Sequence, residues 1–168
     1  NDSFLLESMH KKKGQNFLND YVAYTVNSTK CLGLKVINAG GAEFFKKGGE
    51  TFNLDDVVPS YGVSSRDILT SLNKANEELK IKHPLHVHCN NLGVPGNIKT
   101  ILETIKTAEG RRSHLAHVQF YGYDNKGKKG FSSGSVDLAD AVNKNKNITV
   151  DVCLLYTSRA HETLLDLV

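Results

Sequence analysis

A chain of 168 residues is long enough for one domain with a buried core. Its 39% apolar and 23% charged residues exclude intrinsic disorder, and a net charge of +3 on scattered lysines offers no basic stripe for nucleic acid. No apolar run nears the roughly 20 residues of a membrane span, no signal-peptide pattern is visible, and Cys31, Cys89 and Cys153 are odd in number and unpatterned, so the expectation is a cytoplasmic protein without a disulfide framework.

The run Lys11–Lys13 reads as a solvated face. Residues 17–33 place Phe17, Tyr21, Val22, Tyr24 and Leu32 near helical spacing, closed by Gly33. "LKVIN" (34–38) reads as a short buried strand stopped by "AGG", and 39–63 as a long connection. Ser64 or Ser65 can cap a helix whose apolar face is Ile68, Leu69, Leu72, Ala75 and Leu79. "LHVHC" (85–89) is the second strand, and 97–109 a second amphipathic helix ended by Gly110. "HLAHVQF" (114–120) is the third strand, followed by a glycine-rich loop with no phosphate-binding pattern. A helix over 135–145 turns Val136, Leu138, Ala139 and Val142 inward, and "ITVDV" (148–152) is the fourth strand. Strands and helices in alternation argue parallel β-α units, compatible with a doubly wound sheet or a (β/α)8 barrel.

The chemistry gathers at strand ends, where parallel α/β folds place their ligands. His86 and His88 share one face of their strand, because side chains alternate. A regular third strand would point His114 and His117 to opposite faces, so only one can join His88. The strand-end rule selects His88 and His117, with His86 one pleat deeper as a supporting partner. Lys35 either begins its strand and reaches solvent, or is buried with a lowered pKa that frees its amine to take up carbon dioxide as a metal-bridging carbamate. Imidazole nitrogen and carboxylate-type oxygen together suit zinc. Cys89 points away from His88 and reads as a small buried residue. Asn90 and Asn91 sit at the rim, where they either bind substrate or cap the loop.

"DYVAYTVNSTKCLGLKVINAGGAE", "LDDVVPSYGVSSRDI", "HVHCNNLGVPGN" and "HLAHVQFYGY" together resemble the A subunit of formylmethanofuran dehydrogenase and its counterpart in the bacterial formyltransferase/hydrolase complex. The likeness runs from about Asp20 to Val152. It implies a partial TIM barrel of the metal-dependent amidohydrolase type, about four β-α units and roughly strands four to seven, against about 250 residues for a whole barrel. It implies that Lys35 is the carboxylated lysine bridging two zinc ions, that His88 is the strand-five ligand and that His117, with His114 as the alternative, is the strand-six ligand. These three are then the catalytic metal site, with Asn90 and Asn91 as candidate substrate contacts.

The implied activity interconverts formate plus methanofuran and formylmethanofuran. Its implied partners are the B, C and D subunits of that enzyme, a tungsten- or molybdenum-pterin being held only by the first of these. The family's first-strand His-x-His pair is expected upstream of Asn1 and its eighth-strand aspartate beyond the C-terminus; Asp137, Asp140 and Asp151 do not match it. Residues 1–152 are thus expected to form the partial barrel. "CLLYTSRAHETLLDLV" (153–168) resembles a translated sequencing-adapter tail and is expected to carry no fold information. The isolated chain is expected not to hold two metals firmly or to turn over. The competing functions are another amide or cyclic-amide hydrolase of the same superfamily, and a small noncatalytic α/β binding domain.

Overall fold

The computed structural model describes residues 2–152; the suspected tail lies outside them. Four parallel strands form the central sheet: β1 (Lys35–Ile37), β2 (Leu85–His88), β3 (Ser113–Leu115) and β4 (Ile148–Val150). They lie side by side in chain order, β1-β2-β3-β4. The helices are α1 (Asp2–His10), α2 (Gln15–Thr29), α3 (Gly41–Phe45), α4 (Ser65–Glu78), α5 (Ile98–Thr107) and α6 (Ser135–Lys144). Among the described residues no helix is long and apolar enough to cross a membrane.

One face of the sheet makes the core. Val36, Leu85, Val87, Leu115 and Ile148 pack with Ile68 and Leu69 of α4, Ile98, Ile101 and Ile105 of α5, and Leu138 of α6 in a single buried cluster. The connecting helices therefore cover the same side, and each touches the next. The opposite face carries Lys35, Ile37, His86, His88, His114 and Thr149, all exposed or half-buried. A doubly wound sheet reverses its strand order and has helices on both faces; the described strands do neither.

Local chemistry explains most boundaries. Ser64 caps α4 through a full capping box: its hydroxyl accepts from the Asp67 backbone N–H, and the Asp67 carboxylate accepts from the Ser64 N–H. Helix α2 ends at Thr29, with Lys30 in the left-handed region, so Gly33 is not its stop and Leu32 is 78% exposed. In α6 only Leu138 is buried; Val136 and Ala139 face solvent, against the expected inward stripe, while Ala141 and Val142 pack against the core. The third strand is also shorter than its apolar run. It stops at Leu115, and Val118–Tyr121 form a 3-10 turn.

The long connection 39–63 has internal structure: α3 and an antiparallel pair, Val57–Val58 with Val63–Ser64. It folds back on the strand ends because Phe52, Leu54 and Val58 are buried. Gly40 makes that approach possible: its φ is +77°, and a Cβ there would lie 2.5 Å from Val58.

Candidate metal centre

The strands carry their histidines in cross-strand register. Lys35 pairs with His86, and His86 with His114, which pairs with Thr149. One pleat nearer the C-terminal mouth, Ile37 pairs with His88. Lys35, His86, His88 and His114 therefore stand on one face, away from the helices. The rings form a continuous set: His86 stacks on His88 at 5.1 Å between centroids, His86 meets His114 edge-on at 4.9 Å, and His88 meets His117 at 4.5 Å.

His117 reaches this face by breaking the strand. Its φ is +39°, in the left-handed region that ordinary residues seldom occupy. Its backbone N–H donates to the Asp151 carboxylate at 2.9 Å, and the Val118 N–H donates to the Asp151 carbonyl at 3.0 Å. The expected opposition of His114 and His117 is thus overturned: strand alternation ends before residue 117, and both rings face the same side. His117 stacks on Tyr121 at 5.6 Å, whose hydroxyl donates to the Cys89 carbonyl at 2.9 Å.

The two mouth histidines are in direct contact, with His117 Nε2 2.6 Å from His88 Nδ1. Their other nitrogens, His88 Nε2 and His117 Nδ1, are buried without a partner. Buried polar atoms ordinarily find one. Two neutral rings share a single proton across the 2.6 Å contact, so one outer nitrogen keeps a lone pair to offer a cation and the other is an unsatisfied N–H. Burial, with His117, Lys35 and His86 adding to it, pushes the His88 pKa down to about 4. Burial, with His114, Lys35 and His117 adding to it, lowers His86 as well. Both rings are neutral near pH 7, the state a metal ligand needs.

Lys35 begins β1 and is exposed on the histidine face. A strand rises about 3.3 Å per residue, so the one-pleat offset between Lys35 and the Ile37–His88 row is close to the length of a lysine stem. The residue types present, two imidazoles and a lysine on the same face, fit a divalent zinc site.

Asn90 and Asn91 are buried, and their amides hold the rim together. Asn90 Nδ2 donates to Ser65 Oγ at 2.6 Å and to the Phe52 carbonyl at 3.1 Å. Asn91 Oδ1 accepts from the Phe52 N–H at 2.8 Å, and its Nδ2 donates to Asn53 and Thr100. Beside the histidines lies a cleft of about 250 Å³, lined by Ile37, Phe45, Glu50, His88, Asn91 and His117 among others. Cys89 is buried on the other side, its thiol pushed up to about 12 by desolvation. Tyr121 escapes the sequence reading, which weighs Asp151 only as the eighth-strand aspartate and sets it aside; the strand-end rule applied to "ITVDV" would have placed it beside the histidines.

No family model matches the chain. It is 43% identical over 157 residues to the Fhc A subunit of the formyltransferase/hydrolase complex of Methylorubrum extorquens, covering 90% of this chain and 29% of that protein. It is 36% identical over 143 residues to Protein FwdA of Methanocaldococcus jannaschii, covering 79% of this chain and 25% of that protein. The chain therefore spans less than a third of the length of either curated relative. In the crystal structure of the Methylorubrum extorquens complex FhcABCD with methylofuran, one chain superposes with a TM-score of 0.85 at 44% identity, over 90% of this chain and 28% of that one. The shared sequence and shared parallel α/β architecture place the chain, as a stretch of a longer protein, in the A-subunit family of the formyltransferase/hydrolase and formylmethanofuran dehydrogenase complexes.

Proposed function

We propose that the chain is the metal-bearing wall of an amidohydrolase-type (β/α)8 barrel, in a subunit that interconverts formate plus a methanofuran-type amine and the formylated amine. One observation carries this reading: His88 and His117 meet at the C-terminal mouth of adjacent parallel strands with unpartnered, buried nitrogens. Chain-ordered parallel strands with helices on one face are the geometry of a barrel wall, whose active site lies at that mouth.

In this reading His88, His117 and, through a carboxylated amine, Lys35 are the residues that would hold zinc. When bound, the zinc pair supplies Lewis-acid polarisation of a carboxyl or amide carbonyl. The chain's own residues set the geometry. Asp151 and Tyr121 fix the orientation of His117, one through its backbone and one by stacking. Asn90 and Asn91 act on substrate through the rim: they hold residues 52–53 beside the cleft. Apolar Ile37 and Phe45 in the cleft wall limit water around the reacting carbonyl. The partners are the remaining subunits of the complex; where formate is made from carbon dioxide, a partner holds the tungsten- or molybdenum-pterin.

The test is a segment exchange. The matching stretch of the Methylorubrum extorquens Fhc A subunit is replaced by this chain, and the assembled complex is assayed with formylated methylofuran. The exchanged complex is expected to turn over, and Lys35→Ala, His88→Ala and His117→Ala each to cost more than about 100-fold, beyond the roughly 10–100-fold typical of residues that only orient ligands. Activity that survives all three substitutions overturns the reading.

A further inference from the structure

We propose that His86, His114 and Asp151 form a second divalent-cation site, deeper in the sheet than the His88–His117 pair and separate from it. Each of the three offers a ligand atom, and these atoms lie within 4.8 Å of one another. Ligand atoms around tetrahedral zinc sit roughly 3.3 Å apart, given bonds of about 2.0–2.1 Å. Small side-chain rotations close the difference.

Three features argue for a built site rather than a chance cluster. His86 and His114 are direct cross-strand partners, so β-pairing fixes their spacing. His86 Nε2 is buried without a hydrogen-bond partner, although its ring is flanked on both sides by other imidazoles. His114 is oriented from behind: Nδ1 lies 2.8 Å from Thr149 Oγ1 and Nε2 2.9 Å from Asp151 Oδ2. When Nδ1–H donates to the threonine, the Nε2 lone pair faces a carboxylate oxygen, an arrangement that a shared cation satisfies. The outer contact that fixes a ligating imidazole is the usual companion of such sites.

The charges also decide something. Lys35 stands in register with His86 and opposes a cation there, while the Asp151 carboxylate favours one. Two imidazoles and one carboxylate leave coordination positions open, the donor set of zinc or of ferrous iron. Because Asp151 Oδ1 also accepts from the His117 backbone N–H, filling this site would tighten the segment that presents His117.

The experiment titrates the metal-free 168-residue chain with Co²⁺ alone, reading visible absorption and bound metal by elemental analysis, with circular dichroism as the check on folding. One tightly held Co²⁺ is expected. His86→Gln, His114→Gln and Asp151→Asn should each weaken it by more than about tenfold, while the double variant His88→Gln/His117→Gln keeps it within about twofold. Should His114→Gln fail to fold, the milder His86→Gln decides the matter. A folded chain that retains no Co²⁺ overturns the site. So does a Co²⁺ lost with His88 and His117 but indifferent to Asp151→Asn; the His114–Asp151 contact is then a hydrogen bond that only anchors the His117 turn.

Discussion

At the mouth of the sheet, His88 resists protonation because burial strips its cation of water and the neighbouring His117, Lys35 and His86 repel it. Its pKa of about 4 lies below the ordinary value near 6.5. Between these two values the unfolded chain binds a proton that the folded chain refuses. The stability of the metal-free chain should therefore fall as pH drops from about 6.5 to about 4 and lose no more from this group below that. His86 shifts the same way. Urea titrations across this range check the slope, and His88→Gln should flatten it; a slope unchanged by that substitution would assign the effect elsewhere. His88 was legible in the sequence because a strand's alternation survives to its end. His117 was legible by position but not by orientation, since its left-handed backbone depends on Asp151, 34 residues away. Such contacts leave no local periodicity.

Elements were legible where local chemistry acts alone. The capping box at Ser64 and Asp67 is written in four residues, and α4 starts there. Ser64→Ala should cost about 1 kcal/mol of stability, measured by thermal or urea unfolding. Helix α6 misled the sequence reading because it has few helices to pack against: Val136 is 72% exposed, so Val136→Lys should change stability by less than about 0.5 kcal/mol. The rim behaves oppositely. Asn90 looks like loop polarity, yet its buried amide bonds Ser65 and Phe52 across the long connection. Asn90→Ala leaves the buried Phe52 carbonyl without its donor and should cost about 1–3 kcal/mol, a loss the same unfolding measurement would show. An unchanged midpoint would mean that the rim does not hold residues 52–53.

Across the whole described sheet, one face is packed and the other is not. Ile37 is 62% exposed on the histidine face, and β1 is an edge strand beside a cleft of about 300 Å³ lined by Leu5, Leu34, Ile68 and Leu72. Edges and bare apolar faces of this kind recruit other chains. Sedimentation velocity should show the purified chain gaining mass with concentration; a strictly monomeric species over a wide range would contradict this. Parallel order was legible from alternating strand and helix patterns, but the one-sided covering was not, because periodicity records which residues are apolar and not which elements share a face. The central claim is that Lys35, His88 and His117 grip metal at one mouth. Its most direct test is diffraction at the zinc absorption edge from the segment-exchanged complex. The account predicts anomalous peaks about 2.0–2.1 Å from a ring nitrogen of His88 and of His117, with the Lys35 amine carboxylated between them. A well-ordered map in which those imidazoles carry no such peak would contradict it.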